Sequence, residues 1–413
     1  MSDPSAKPRL LVLTSTFPRW TDDHEPPFVF ELARRLTDSF AVTVLAPHAP
    51  GARRHEIMDG VAVERFRYAP DALERLAYEG GIPHKLREQP LLALLVPLFI
   101  LAQAFMSWRQ IRRLRPQVIH AHWLIPQGLV ALMTLKLCDA GPRLLVTAHG
   151  ADIHGLKSRF AVWLKRRVMA GADAVSVVSR AMARDAQSLT KEPEKIHIIP
   201  MGVDFHSLFV PGPRRTQGQT LIFAGRLVEK KGVATLLEAL AMLGTHGPDC
   251  QLLVAGFGPL KDSLMRQSVQ LGVEDKVTFL GGYRYEELPH LFQRADIAVY
   301  PFCQTVDGDQ EGLGLVVLEA MGCGLPVVVS DLPAVHDMIT DGETGLLVPP
   351  QDASELAKAI ESLIRNPVYS DRLSRAARRF AVEHFDWHNI AQRYAKLLTE
   401  SGQLQQAASV NQK

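Results

Sequence analysis

Short aliphatic and β-branched runs alternate in this chain with longer amphipathic stretches, and the alternation occurs twice. In the first half Arg9–Thr14, Ala41–Ala46, Val61–Arg67, Val118–His122, Leu144–Ala148, Ala174–Ser179 and Ile196–Pro200 read as strands, with helical stretches such as Phe28–Leu36 between them. Strands that are apolar almost throughout are buried on both faces, and strands separated by helices pair in parallel. Asp204 to Gln219, with Pro211, Gly212, Pro213, Arg214, Arg215 and Gly218, reads as an exposed linker. The pattern then restarts with strands Thr220–Ala224, Gln251–Ala255, Lys276–Leu280, Ile297–Tyr300 and Pro326–Ser330, and with helices Val233–Leu243, Leu260–Leu271 and Tyr285–Phe292 between them. The expected fold class is α/β, with two Rossmann-like parallel-sheet domains, 1–205 and 206–385, facing each other across a cleft that suits a ligand. Ser354–Arg365 and Val368–His384 read as helices, and the polar end SGQLQQAASVNQK as an unstructured tail.

A length of 413 residues is too great for one ordinary domain and natural for two. The formal charge of +2 argues against nucleic-acid binding driven by bulk charge. Cys138, Cys250, Cys303 and Cys323 lack CxxC spacing and read as free thiols of a reducing compartment. The first twenty residues lack the pattern of a signal peptide. No GxGxxG follows the first strand, so a dehydrogenase-type dinucleotide fingerprint is absent. Gln89 to Trp108 carries no charge and could span a bilayer by length. Its place in a βαβ crossover favours instead a helix packed on the sheet, or one that also touches an anionic membrane surface through the basic cluster Arg109, Arg112, Arg113 and Arg115.

Chemistry concentrates in Glu311–Asp331. Glu311, Gly312 and Gly314 open a loop that follows a strand, and an apolar run from Leu313 and Leu315 carries Glu319. A helix starting near Leu313 would point free N–H groups at the crevice beyond the strand ends, which suits a phosphate. Across a full helix the two carboxylates would stand about 12 Å apart and roughly 80° around the axis, so they suit the two ends of an elongated ligand such as a nucleotide sugar. Glu319 among Val316, Val317, Leu318, Ala320 and Met321 is a poor setting for an idle charge. Gly225, Arg226, Lys230, Lys231 and Gly232 follow the second half's first strand, and suit either a diphosphate clamp or a basic surface loop. Gly256 and Gly258 before Pro259, and Gly281 and Gly282 before Tyr283, are strand-end turns that could approach a nucleotide. His149 stands at the end of the strand Leu144–Ala148. His120 and His122 share a strand face without a Cys or carboxylate motif to complete a metal site, and Asp307 with Asp309 reads as a solvated turn.

Glu311 to Glu319 resembles the E-x7-E signature of the retaining glycosyltransferases of family 4, the group 1 glycosyltransferases, which have the GT-B fold. The resemblance covers nearly the whole chain and is most specific at Glu311–Glu319 and Gly225–Gly232. It implies transfer of a sugar from a nucleoside diphosphate sugar to an acceptor hydroxyl with retention, in cell-surface polysaccharide or glycolipid assembly. Glu311 would orient the sugar, Glu319 the ribose, and His149 would touch sugar hydroxyls. Arg226 and Lys231 would neutralise the leaving diphosphate, with backbone contacts from Gly312, Leu313, Gly314, Leu315, Gly225, Gly256 and Gly281. It implies no cofactor and no metal. The partners expected are the nucleotide sugar, an acceptor glycan or lipid-linked sugar, no nucleic acid, and peripheral contact with an anionic membrane from the cytoplasm. The helix near Trp387 would cross back, making 386–413 a closing segment. The chain departs from many members at Ser15–Trp20, which lacks a paired-glycine turn. Arg19 and Trp20 there suit a lipid-linked acceptor. A GT-B epimerase or phosphorylase-like enzyme, or a non-catalytic nucleotide-sugar binder, remains the alternative.

Overall fold

The computed structural model describes residues 7–410 other than 22, 24, 26, 79, 80, 139, 140, 156, 213–218 and 307. The core of the expected linker, Asp307 and the last three residues therefore lie outside the described residues. The chain forms two compact units, Met1–Pro200 with Ile390–Lys413, and Met201–Asn389. The crossings fall at 200/201 and 389/390 because Met201–Phe205 packs with the second unit. Val203 bridges to Asp386, Trp387 N–H donates to the Val203 carbonyl at 3.2 Å, and Gly202 lies against the Trp387 ring, where a Cβ would come within 2.6 Å. The last helix, Trp387–Val410, joins the first unit from Ile390, with the Tyr394 hydroxyl donating to the Ile199 carbonyl at 3.0 Å. Its backbone stays helical into the stretch expected to be an unstructured tail.

In the first unit the strands are β1 (Arg9–Leu13), β2 (Ala41–Pro47), β3 (His55–Met58), β4 (Val61–Phe66), β5 (Val118–His122), β6 (Arg143–Ala148), β7 (Ala174–Val177) and β8 (Ile196–Ile198). They form one sheet in the order β3-β4-β2-β1-β5-β6-β7-β8, parallel throughout except where β3 pairs antiparallel with β4. The expected strands recur within two residues at their ends, and β3 is an addition. Its alternating exposed and half-buried pattern lacks the apolar continuity of the inner strands.

Crossovers between parallel strands are right-handed. The steps β4 to β5, β5 to β6 and β6 to β7 run in one direction across the sheet, so helices Leu95–Leu114, Leu129–Leu135 and Arg159–Gly171 share one face. Helix Phe28–Leu36, on the reverse step from β1 to β2, covers the other. Direction reverses between β1 and β5, and the loops after these strands flank the switch point where such sheets take ligands.

The uncharged run at 89–108 becomes a 3-10 turn, Pro90–Leu94, followed by helix Leu95–Leu114. Phe99, Gln103, Ser107, Gln110 and Ile111 form its buried face, and Gln103 Nε2 donates to the Thr14 carbonyl at 3.4 Å. With the turn before it this helix is long and apolar enough to cross a membrane by length and composition, and its buried face packs on β1, β2 and β4.

The second unit holds β9 (Thr220–Ala224), β10 (Gln251–Ala255), β11 (Val277–Gly281), β12 (Ile297–Tyr300), β13 (Val327–Ser330) and β14 (Leu346–Val348). Their order is β11-β10-β9-β12-β13-β14, all parallel. Here the direction reverses between β9 and β12, 73 residues apart from the end of one to the start of the next as 297 minus 224. The loops following these two strands carry Arg226–Gly232 and Glu311–Gly314.

Candidate active site

Two loops meet at the β9/β12 switch point. Gly232 closes the first in the left-handed region (φ +68°), and a Cβ there would lie 1.7 Å from the Pro301 carbonyl oxygen, so only glycine lets the loop reach the end of β12. The Cys303 N–H donates to the Lys230 carbonyl at 2.9 Å and ties the loops together. Across this seam Lys231 Nζ donates to Glu311 Oε2 at 2.7 Å, and the ammonium lies 4.7 Å from the centre of the Phe302 ring. Lys230 turns away to Asp309 Oδ1 at 3.2 Å and the Gln310 carbonyl at 3.4 Å. Asp309 is thus an ion-pair partner that orders the loop rather than part of a solvated turn.

Burial pushes the Glu311 carboxyl up, but Lys231, Lys230 and hydrogen bonds from Lys231 and the Gly312 N–H outweigh it and hold the group at about 2. Glu311 is therefore an anion at all ordinary pH values. Gly314 (φ +86°) then turns the chain into helix Leu315–Gly322, which starts two residues later than expected, with Gly312, Leu313 and Gly314 in the approach to its N-terminus. Gly314 gives that end no side-chain cap, and a helix N-terminus presents backbone N–H groups and a positive dipole, here beside the Lys231–Glu311 pair. The other strand-end turns are stitched alongside: Gly225 N–H donates to the Ala255 carbonyl at 2.9 Å and Gly256 N–H to the Gly281 carbonyl at 2.7 Å. Arg226 sits half-buried in the first of these loops, directly after Gly225.

Glu319, 5% exposed, lies inside the helix. Burial raises its carboxyl from the ordinary 4.5 to about 7, against a hydrogen bond from Tyr285 and the charge of Lys231. The two glutamates that share one motif thus sit in opposite electrostatic settings. Between 4.5 and about 7 the folded chain keeps a proton on Glu319 that the unfolded chain has lost, so this group lowers stability as pH rises through that window and keeps it lowered above. Glu319→Gln should therefore melt close to the parent at about pH 4 and a few degrees above it at about pH 8. Melting curves by calorimetry across the window check this; a variant that loses as much stability as the parent would contradict it.

In the first unit His149 follows β6. Its Nε2 lies 2.9 Å from His122 Nδ1, and the two rings stack at 5.2 Å. Phe28 and Trp123 each lie 4.9 Å from the His149 ring. Burial lowers His149 and His120 to about 3 and His122 well below its usual value; His120 acts in the same direction on His149, and His120 and His149 do so on His122. All three are neutral hydrogen-bonding groups at pH 7. Asp152 accepts from the N–H groups of Leu124 at 2.8 Å and of His149 and Gly150 at 3.1 Å, which fixes the turn carrying His149. His120 turns to Thr147 Oγ1 at 2.6 Å, so its ring serves the sheet interior.

Among the described residues His48, Asp71 and Glu74 form a group with ligand atoms within 4.8 Å of one another, but Arg67 bonds Asp71 and lies 3.7 Å from Glu74, supplying the charge. Arg19 differs from expectation: it is buried, its guanidinium donates to Asp23 at 2.7 and 2.9 Å, and it stacks 4.6 Å over Trp20. Trp20 stays exposed in that loop.

The profile for Glycosyltransferase Family 4 matches residues 27–207, and that for Glycosyl transferases group 1 matches 207–380. A GDP-mannose-dependent alpha-(1-6)-phosphatidylinositol monomannoside mannosyltransferase of Mycolicibacterium smegmatis is 31% identical over 302 residues, 70% of this chain and 78% of that protein. The chain is a group 1 glycosyltransferase. This glycosyltransferase is also 30% identical over 292 residues to a glycogen synthase of Mycobacterium tuberculosis, 68% of either chain. Among solved structures, sucrose-phosphate synthase from Thermosynechococcus elongatus superposes with a TM-score of 0.77 at 22% identity, covering 95% of this chain and 99% of that one. The HepE protein of Anabaena in complex with UDP gives 0.72 at 20% identity, covering 95% and 100%. The fold of the glycosyltransferase is GT-B.

Proposed function

We propose that this glycosyltransferase moves a sugar from a nucleoside diphosphate sugar to an acceptor hydroxyl with retention at the anomeric carbon, in the assembly of a cell-surface polysaccharide or glycolipid. The observation that carries the reading is the Lys231–Glu311 ion pair beside the helix N-terminus at the β9/β12 switch point. A diphosphate needs fixed positive charge, and a sugar ring with developing positive charge needs a fixed anion. The pair supplies both within one hydrogen bond. In this reading the bond from the anomeric carbon to the β-phosphate oxygen breaks while the acceptor oxygen bonds to the same face of that carbon. The acceptor proton passes to the leaving phosphate. Arg226, Lys231 and the N–H groups at Gly312–Leu315 take the charge that collects on the diphosphate, so the transfer calls on no resident cofactor. Glu311 orients the sugar, and His149 has the sugar-hydroxyl contact that the family pattern assigns. Glu319 accepts from the ribose hydroxyls, which favours its ionised form, so nucleotide binding releases a proton near neutral pH.

A lipid-borne acceptor is supported by the phosphatidylinositol mannoside named for the relative from Mycolicibacterium smegmatis, and by a phosphatidyl-myo-inositol mannosyltransferase of Mycobacterium leprae, 36% identical over 219 residues. Cysteines 138, 250, 303 and 323 are thiols, in keeping with the cytoplasm, where nucleotide sugars are made available.

A thermal-shift screen of nucleoside diphosphates and their sugars is the first test. A ligand at ~100 times its dissociation constant should stabilise the fold by roughly 2.7 kcal/mol. The selected donor is then incubated with and without a lipid extract. Glycosylated lipid and free nucleoside diphosphate support the reading. A donor epimerised without acceptor, or no response to any nucleotide, would overturn it.

A further inference from the structure

The first unit leaves a large apolar surface uncovered on one face of its sheet. On the turn Pro90–Leu94 and helix Leu95–Leu114, Leu91, Leu94, Leu98, Leu101 and Phe105 are exposed, Leu91 at 83% and Phe105 at 60%. They follow one another at steps of three and four residues, which is a single helix stripe. At the same steps the stripe runs on into Arg109 and Arg112, both exposed. Helix Arg159–Gly171 repeats the design: Phe160, 68% exposed, and Trp163 stack at 5.9 Å, and the step of four leads to Arg167, whose guanidinium lies 5.3 Å over the Trp163 ring. Helix Leu129–Leu135 packs between these two, with Met133 and Leu137 exposed and Lys136 beside them.

All three helices cover the same face of the sheet and return antiparallel to the strands. The exposed apolar residues of helix Leu95–Leu114 and Phe160 of helix Arg159–Gly171 therefore lie toward the carboxyl edge of the sheet, where Trp123 and His149 emerge, with Arg109, Arg112, Arg166 and Arg167 farther from that edge. Arg159 stands at the apolar end, and Met133, Lys136 and Leu137 at the far end of helix Leu129–Leu135. No Asp or Glu occurs in any of the three, while Arg109, Arg112, Arg159, Arg166 and Arg167 are exposed on them. Arg113 is partly compensated by Glu64 of β4 at 2.6 Å.

We infer that this three-helix face is a docking surface for an anionic phospholipid bilayer, seated with the apolar ends among the acyl chains and the arginines at the headgroup phosphates. The charge pattern selects this occupant. Two copies meeting through this face about a two-fold axis would bring like patches of arginine together with no Asp or Glu on the three helices to offset them, whereas phosphates are their complement. Exposed aromatic rings next to arginine match the boundary between headgroups and acyl chains. The surface extends the proposed function by placing the sheet edge that bears His149 at the membrane, where a lipid-borne acceptor would lie. Binding to vesicles needs no transfer.

The test is cosedimentation of the full chain with vesicles of phosphatidylcholine alone and of phosphatidylcholine mixed with phosphatidylglycerol. The parent should bind the anionic vesicles roughly tenfold or more tightly than the neutral ones, with the preference lost at high salt. Leu101→Ser with Phe105→Ser, Phe160→Ser with Trp163→Ser, and Arg109→Glu with Arg112→Glu should each weaken binding about tenfold. These side chains are exposed, so melting temperature and donor turnover without vesicles should stay near the parent values. Failure of the parent to bind would overturn the inference, as would equal binding to neutral vesicles. So would parent-like binding by the Phe160 variant, or a dimer in solution that the same variants dissociate. Donor turnover without vesicles reports on the proposed function separately.

Discussion

Glu311→Gln is expected to lower turnover by roughly 10²-fold or more while leaving the affinity for the free nucleoside diphosphate close to that of the parent. The carboxylate is held ionised by Lys231, Lys230 and the Gly312 N–H, so its charge is fixed before substrate arrives. A preset anion next to a sugar that gains positive charge favours the transition state over the ground state. Glutamine keeps the size and the hydrogen-bonding capacity but removes that charge. In the proposed function the nucleotide without its sugar does not meet this group, and Lys231 remains for the diphosphate. Steady-state kinetics with donor varied, beside calorimetric titration of the nucleoside diphosphate, separates these effects. By contrast Glu319→Gln should act mainly on the donor Michaelis constant, because ribose contacts change little during transfer. If Glu311→Gln abolished nucleotide binding and Glu319→Gln spared it, the two roles would be exchanged.

The second large effect is expected at the cations. Lys231→Ala should reduce kcat/KM by about 10²- to 10³-fold and weaken nucleoside diphosphate binding, and Arg226→Ala should do the same to a lesser degree. Lys231 has two tasks here, since it also holds the buried Glu311 carboxylate at 2.7 Å. Removing it leaves that charge with less compensation, so sugar orientation suffers along with phosphate binding. The two alanine effects should be less than additive, since in the proposed function both cations act on one leaving group. A double variant with parent activity would remove these residues from the reaction.

How much of this was readable beforehand depends on what each feature rests on. Val118–His122, Thr220–Ala224, Gln251–Ala255 and Ile297–Tyr300 are visible as strands because inner strands of a parallel sheet are apolar on both faces. His55–Met58 is not, since an edge strand that alternates exposed and half-buried residues looks like a polar loop. The chemistry of Glu311 and Lys231 is visible as residue types in strand-to-helix loops. Their contact is not, because it spans 80 residues and arises only when β9 and β12 become neighbours. For the same reason Tyr285 beside Glu319 and Phe302 beneath Lys231 carry no local signal. Arg19 misleads in the opposite way: a cation in a surface loop reads as solvent-facing until Asp23, four residues on, folds back over it. The apolar run at 89–108 is plain in sequence, but only the strand order shows that Phe160 and Trp163 share its face.

The most direct test of the account is the anomeric configuration of the first-formed product, read by proton nuclear magnetic resonance of the glycosylated acceptor made from the donor that the thermal-shift screen selects. Glu311 and Lys231 acting on one face of the sugar and its leaving diphosphate predict a product with the donor's configuration. A product with the inverted configuration would contradict the account, because it would require an activated acceptor on the opposite face of the sugar from the leaving group.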